Sequence, residues 1–316
     1  MNPVAWLTQF LQVLVALAAA PLFLGWINQC RARLQNRRPP PLWLPYNLLA
    51  KLFHKEAVIA GTASPLFRTA PYIVFGLMVT VAAIIPSMGS RLPFTSVADA
   101  IALVGLLAAA RFFISLAAMD IGTAFGTLGA RREMLVGFLA EPALLMVIFV
   151  ASMISATTAL PVISERLASQ SFALYPSLAF TAVAFTMVLL AENARIPVDN
   201  PSTHLELTMI HEAMLLEYSA RHLALMEWAT ALKLFNYACI GFALFVPWGD
   251  SLGAVGPGTL LISLCALAVK LVVAGAVLAL IETFSAKLRV FRVPEFLASA
   301  FIFAVLGMLV HLLLGA

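Results

Sequence analysis

Apolar residues fill this chain in long uninterrupted runs, and the polar residues collect between the runs instead of alternating within them. Runs near or beyond the roughly 18–20 residues that a helix needs to cross a bilayer recur along the whole length. They predict spans at about 4–27, 70–88, 97–119, 134–158, 172–192, 229–249, 258–282 and 295–314. Eight spans of this kind specify an all-α, polytopic integral membrane protein. A transmembrane β-barrel would show short segments of alternating polarity instead.

Between the fifth and sixth spans the pattern breaks. A polar insert runs Glu192-x-x-Arg195-x-Pro197-x-Asp199-x-Pro201, then Thr203-His204-x-Glu206, His211-Glu212 and Glu217-Tyr218-Ser219. Asp199, Pro201 and the Thr203-x-x-Glu206 pair predict a helix start with a capping box. On a helix continuing from there, His204, His211 and His222 share one stripe and Glu206 and Glu217 another, because steps of 7 and 11 nearly close whole turns. His211-Glu212 begins like a zinc-protease motif but lacks the second His at the required spacing, so no metal site is expected. Carboxylates and imidazoles at a membrane surface suit proton relay or docking.

Composition sharpens this picture. The chain is 62% hydrophobic and 11% charged, under half the roughly 25% charge of a soluble domain. The chain therefore reads as a single transmembrane domain over 1–316, with cytoplasmic loops near 28–69, 120–133, 193–228 and 283–294. Those loops, with Lys233 counted alongside the third, carry fifteen Lys and Arg, whereas the opposite ones carry only Arg91 and Arg166. The bias places the chain in the inner membrane with both termini on the periplasmic side. It also accounts for the net charge of +4 without a nucleic-acid partner. Ala18-Ala19-Ala20 resembles a signal cleavage site, but the basic cluster follows the first span instead of preceding it, so the span is expected to be retained.

The first cytoplasmic loop has two parts. Arg31, Arg33, Arg37 and Arg38 form a basic stem that Pro39-Pro40-Pro41 ends. Beyond it Leu44, Leu48, Leu49, Leu52 and Phe53 recur at helical spacing, which predicts an amphipathic helix on the membrane surface. Together with Arg131 and Arg132 the stem is a candidate docking surface. Cys30, Cys239 and Cys265 lie far apart, so no iron–sulfur or zinc spacing exists and no cofactor is expected in this chain.

Ionisable residues inside the spans complete the candidates. Arg111, Glu141 and Lys270 lie within spans, and Glu192 and Glu282 near their cytoplasmic ends. An unpartnered charge at the centre of a bilayer costs about 3 kcal/mol on insertion scales, and such residues mark ion or proton pathways. Glu141 is the partner expected for Lys270.

The motif Glu192-x-x-Arg195-x-Pro197-x-Asp199-x-Pro201, with Glu206-Leu207 and Glu217-Tyr218-Ser219, resembles the membrane subunit 1 family of respiratory complex I. Within it the likeness is greatest to the corresponding subunit of formate hydrogenlyase and hydrogenase-4-type membrane nickel–iron hydrogenases. Arg31-x-Arg33 with Arg37-Arg38-Pro39, Leu48-Leu49-x-Lys51-Leu52-Phe53, Ser64-Pro65-Leu66-Phe67-Arg68, Gly129-Ala130-x-Arg132-Glu133 and Glu141-Pro142 match in order. The resemblance implies an eight-helix subunit between a cytoplasmic redox arm and antiporter-like membrane subunits. It implies partners in hydrogenase-like small and large subunits and an iron–sulfur subunit, which carry the iron–sulfur clusters and the nickel–iron centre. It also implies that Glu192, Asp199, Glu206 and Glu217 are coupling carboxylates with Arg195 as their counter-charge. Pro39-Pro40-Pro41 replaces the family's Gly-Pro, Ser202-Thr203-His204 replaces its acidic run, and the Glu206 to Glu217 spacing is about one turn longer. These departures fit the hydrogenase branch better than the alternative, a quinone-site subunit of a complex I-type oxidoreductase. A free-standing secondary transporter is a third class, and no internal repeat supports it.

Overall fold

The computed structural model describes residues 3–89, 92–97, 99–169, 176–199, 209–249, 257–289 and 292–314. Its helices are α1 Pro3–Leu34, α2 Leu44–Phe53, α3 Pro65–Ile84, α4 Ala100–Asp120, α5 Ala124–Ser155, α6 Leu160–Ser169, α7 Pro176–Glu192, α8 His211–Leu215, α9 Ala220–Phe245, α10 Pro257–Phe284 and α11 Val293–Leu314. Seven of them are long and apolar enough to cross a membrane, and α7 is the shorter eighth. Each of the eight expected spans therefore has its helix. Several helices outrun their apolar windows: α5 and α9 start well before the runs that signalled them. Backbone groups near the hydrocarbon must be satisfied within the helix even where the side chains are polar.

The polar contacts sort the loops onto two faces. On one face Ser64 N donates to Asp120 Oδ2 (3.3 Å), Arg132 Nη1 to Met209 O (3.3 Å) and Leu288 N to Pro197 O (2.9 Å). Ser219 and Val58 exchange two hydrogen bonds on the same face. These contacts join all four basic loops. On the other face Gln12 donates to carbonyls at Ala82, Ala83 and Ile85, where α3 runs out of intrahelical partners. A bridge between Asp99 and Ala159 closes that side.

Two prolines inside spanning helices shape the packing. Pro21 cannot donate to Leu17 O, and Pro71 cannot donate to Phe67 O, so each leaves a carbonyl without its usual partner. The Trp228 indole takes Leu17 O at 3.1 Å, and Tyr46 takes the adjacent Ala18 O. The Tyr218 hydroxyl takes Phe67 O at 3.1 Å while its ring stacks on Phe67, with centroids 4.1 Å apart. The helix breaks are thus where α9 and its preceding turn grip α1 and α3.

The surface helix forms as expected. α2 buries Leu49 and Leu52 against Ala224 and Trp228 and turns Leu44, Leu48 and Phe53 outward. The polar insert does not form one continuous helix. α8 is a short turn, and α9 starts afresh at Ala220, whose φ is 49°. Asp199 Oδ2 accepts from Ile210 N (3.0 Å) and His211 N (3.2 Å), so it fixes the start of α8. Tyr218 and Ser219 are drawn away to Phe67 and Val58, which ends it. His211 and His222 therefore do not share a helical stripe, while Thr203, His204 and Glu206, the stripe partner expected for Glu217, lie outside the described residues, as does Arg91. α6 was not foreseen. Its Leu160, Ile163 and Leu167 are buried, and Arg166 donates to Ser155 O at the end of α5.

The Tyr218 grip is testable by a double-mutant cycle in detergent. Tyr218→Phe strands Phe67 O and is expected to cost about 1–3 kcal/mol of unfolding free energy. In a Pro71→Ala background, where residue 71 regains its N–H, that cost should shrink towards zero. An unchanged cost would show that the hydroxyl does not serve the proline-freed carbonyl.

Candidate functional site

Arg111 lies midway along α4 and is 6% exposed. It fits because α5 has no side chain at Gly137: a Cβ there would collide with Nη1 and come within 2.8 Å of the Arg111 Cδ. The guanidinium meets three carboxylates on two other helices. Nη1 donates to Glu141 Oε1 (2.6 Å), Nη2 to Glu192 Oε1, and Nε lies 3.4 Å from Glu133 Oε1. Lys233 Nζ of α9 approaches the other Glu192 oxygen at 3.1 Å, and the buried Tyr237 ring lies beside Glu192. Four helices, α4, α5, α7 and α9, are thus bound through one charged cluster.

The cluster is not electroneutral. Three carboxylates face two cations, which leaves one negative charge, and one proton would cancel it. A water-sized cavity of about 20 Å³ adjoins the cluster, lined by Arg111, Glu133, Glu192, Lys233, Thr230 and His211. That is room for about one water molecule. His211 Nε2 sits 2.9 Å from Thr230 Oγ1 on the loop side of the cavity. Burial and the positive charge of Lys233 hold the His211 imidazole down to about 4, against a smaller opposing pull from Asp199. Burial raises the Glu212 carboxyl, and Asp199 and Glu227 add to the rise.

A second cluster lies at the end of α10. Glu282 meets Arg195 Nη1 at 3.2 Å and Arg31 Nη1 at 3.5 Å. Among the described residues Arg195 is therefore the partner of Glu282, while Glu206, one of the carboxylates it was expected to balance, lies outside them. The cause is local: α7 ends in a wrap closed by Arg195 N to Leu190 O (2.9 Å), with Ala194 at φ 48°. That wrap sends Glu192 and Arg195 in different directions. Asp199 serves the backbone, as described above.

The expected Lys270–Glu141 pair is also corrected. Glu141 belongs to Arg111, on the helix next to its own. α10 packs chiefly on α1, and its Lys270 Nζ lies 5.9 Å from the ring centroid of Phe242 on α9. Of the docking candidates, Arg33, Arg37, Arg38 and Arg131 are exposed, while Arg31 and Arg132 are engaged within the chain. Glu217 is half-buried in the turn before α9. Glu133, Lys233 and the His211–Thr230 pair were missed. Glu133 falls one residue before an apolar window, and Lys233 was counted with a loop. Asking how far α5 continues before its apolar run would have found Glu133, and keeping Lys233 with the span at 229–249 would have found it. Among the described residues no three His, Cys, Asp or Glu side chains converge as a metal ion would require.

Comparison with known proteins agrees with this architecture. The family model described as NADH dehydrogenase matches residues 8–313. The chain is 35% identical to formate hydrogenlyase subunit 4 of Escherichia coli (strain K12) over 301 residues, covering 94% of this chain and 95% of that one. It is 35% identical to hydrogenase-4 component C of the same organism over 239 residues, 75% of this chain and 74% of that one. The fold is similar to that of a chain in the membrane-bound sulfane sulfur reductase, an archaeal respiratory membrane complex. There the TM-score is 0.82 at 21% identity, with 96% of this chain and 98% of that one covered.

Two outcomes follow from the cluster. Arg111→Met should cost about 3–5 kcal/mol of stability in detergent, because it strands buried carboxylates. Adding Glu192→Gln should recover part of that loss, and strict additivity would contradict the coupling. The second outcome concerns His211. Its folded pKa lies below the unfolded 6.5, so between those values the unfolded chain binds more protons and stability rises with pH. Melting temperature should therefore fall as pH drops from 6.5 to about 4, and His211→Gln should flatten that slope relative to the parent chain.

Proposed function

This chain belongs to the NADH dehydrogenase family, of the complex I subunit 1 type, and from that premise we propose that it couples redox turnover to ion translocation in a complex I-like membrane-bound hydrogenase of the hydrogenase-4 or formate hydrogenlyase type. The observation that carries the coupling role is the Arg111 cluster. An uncompensated negative charge held among spanning helices is a place for a proton to arrive and leave, and intramembrane ionisable groups of this kind mark such paths. The two hydrogen-metabolism relatives favour this reading over a quinone-site subunit.

In this reading Glu192, Glu133 and Glu141 share the proton around Arg111 and Lys233. Glu141 is the most open of them, its side chain 35% exposed, on a face of α5 that also presents Phe138 at 79%. A half-exposed carboxylate there calls for a protein neighbour, so antiporter-like membrane subunits adjoin that face. Glu282 with Arg31 and Arg195 forms the link to the basic loops. Glu206 and Glu217 are loop carboxylates on the way in, and Lys270 is a further intramembrane charge on the α10 side. Arg33, Arg37, Arg38 and Arg131 dock an iron–sulfur subunit and, through it, the small and large hydrogenase-like subunits. Those partners carry the iron–sulfur clusters and the nickel–iron centre, and this chain carries no redox group. The basic face is cytoplasmic, with the termini periplasmic, in the inner membrane.

The test is ion transport against redox turnover in the intact complex, at matched assembly levels. Glu141→Gln keeps the side chain's shape and removes its titratable proton. Its transport should fall to the leak level while redox turnover with an artificial electron acceptor persists. Normal transport in both Glu141→Gln and Glu192→Gln would make the cluster structural and end the coupling role.

A further inference from the structure

We infer that His211 relays protons between the loops of the basic face and the Arg111 cluster, through a water in the cavity between them. This rests on the coupling role proposed above and adds the residue that admits the proton.

Thr230 Oγ1 lies 2.9 Å from Met226 O and 2.9 Å from His211 Nε2. The relay uses the arrangement in which the hydroxyl donates to Met226 O and accepts from Nε2–H. Nδ1 is left as the basic nitrogen of the neutral ring. The backbone beneath is held too: Asp199 receives His211 N–H, and Gly129 lets α8 lie against α5, since a Cβ there would meet Ile210 O at 2.9 Å. The residue is thus held at the cavity wall, and as a whole it is half-buried.

The far wall of that cavity holds two polar atoms that ask for a water. Arg111 Nε and Glu192 Oε2 are buried without a hydrogen-bond partner, although each has an opposite charge within ion-pair range. A buried polar group of this kind is ordinarily satisfied by water. The transfer balances simply. Nδ1 takes a proton from the loop side as Nε2 yields its hydrogen to Thr230 Oγ1, whose own hydroxyl proton passes to the cavity water, and that water passes one of its own to the cluster. A turn of the ring between transfers restores the starting tautomer.

The charges around the ring suit passage and not storage. Lys233 from α9, Arg111 from α4 and Arg132 from α5 oppose an imidazolium. Asp199 from the loop, Glu133 from α5, Glu192 from α7, Glu227 from α9 and Glu212 beside it favour one. The depressed proton affinity of the ring means that a proton arriving there is released onward.

The experiment uses the whole complex in vesicles and reads transport as membrane potential, which a permeant weak base such as imidazole does not collapse. His211→Gln should lower potential generated per redox turnover. His211→Gly should lower it equally, and added imidazole, which fits the space vacated, should restore it. Unchanged transport in both variants overturns the relay. So does a loss in His211→Gly that imidazole does not reverse, because a structural role predicts that. Glu192→Gln separates the two levels. If it abolishes transport while the His211 variants transport normally, only the relay fails, and if both it and Glu141→Gln transport normally, the coupling role fails with it.

Discussion

A guanidinium in the middle of a membrane-spanning bundle is costly unless carboxylates surround it, and Arg111 has three. Gly137 gives it space, and Glu133, Glu141 and Glu192 bring α5 and α7 to it. Lys233 brings α9 by sharing Glu192. The pairing is charge-assisted and multiply hydrogen-bonded, the geometry in which burial of ions is least penalised. The carboxylates outnumber the cations by one, so the same contacts that hold the helices together leave one formal negative charge among them. In the proposed coupling role, stability and proton handling would not be separable, and substitutions at Glu192 should act on both.

The rest of the bundle is arranged to keep that cluster in place. Two prolines break the hydrogen-bond ladders of α1 and α3, and Trp228 and Tyr218 occupy the carbonyls so released. Ser219 locks the same turn to the first basic loop. The start of α9 is thereby fixed against α1, α2 and α3, and Thr230 and Lys233 are fixed with it. At the opposite face Gln12 closes the end of α3. Polar contacts thus bracket an apolar bundle at both faces, as expected where backbone groups have no water to turn to.

Much of this was legible in the sequence, and the exceptions have physical causes. Eight spans and the surface helix follow from hydropathy and helical spacing alone. Arg111, Glu141, Glu192 and Glu282 stand out as charges in apolar runs. Their partners do not: Glu133 lies in the first turns of α5, just before a hydropathy window begins, and Lys233, although inside the window at 229–249, reads as part of the preceding loop. The pairing of Arg195 with Glu282 depends on a wrap at the end of α7 and joins residues 87 positions apart. The continuous helix expected after Asp199 fails because Tyr218 and Ser219 have better partners across the chain than along it. Asp199 shows a role that the sequence did not signal, a carboxylate that accepts from two backbone amides at the start of α8.

The claim that an exchangeable proton resides on the Arg111 cluster is tested most directly by redox-triggered infrared difference spectroscopy of the intact complex. Turnover should produce a carbonyl-stretch change from a protonated carboxyl group, shifted in deuterium oxide and altered by Glu141→Gln and Glu192→Gln. A difference spectrum with no carboxyl contribution, or one that neither substitution changes, would contradict it.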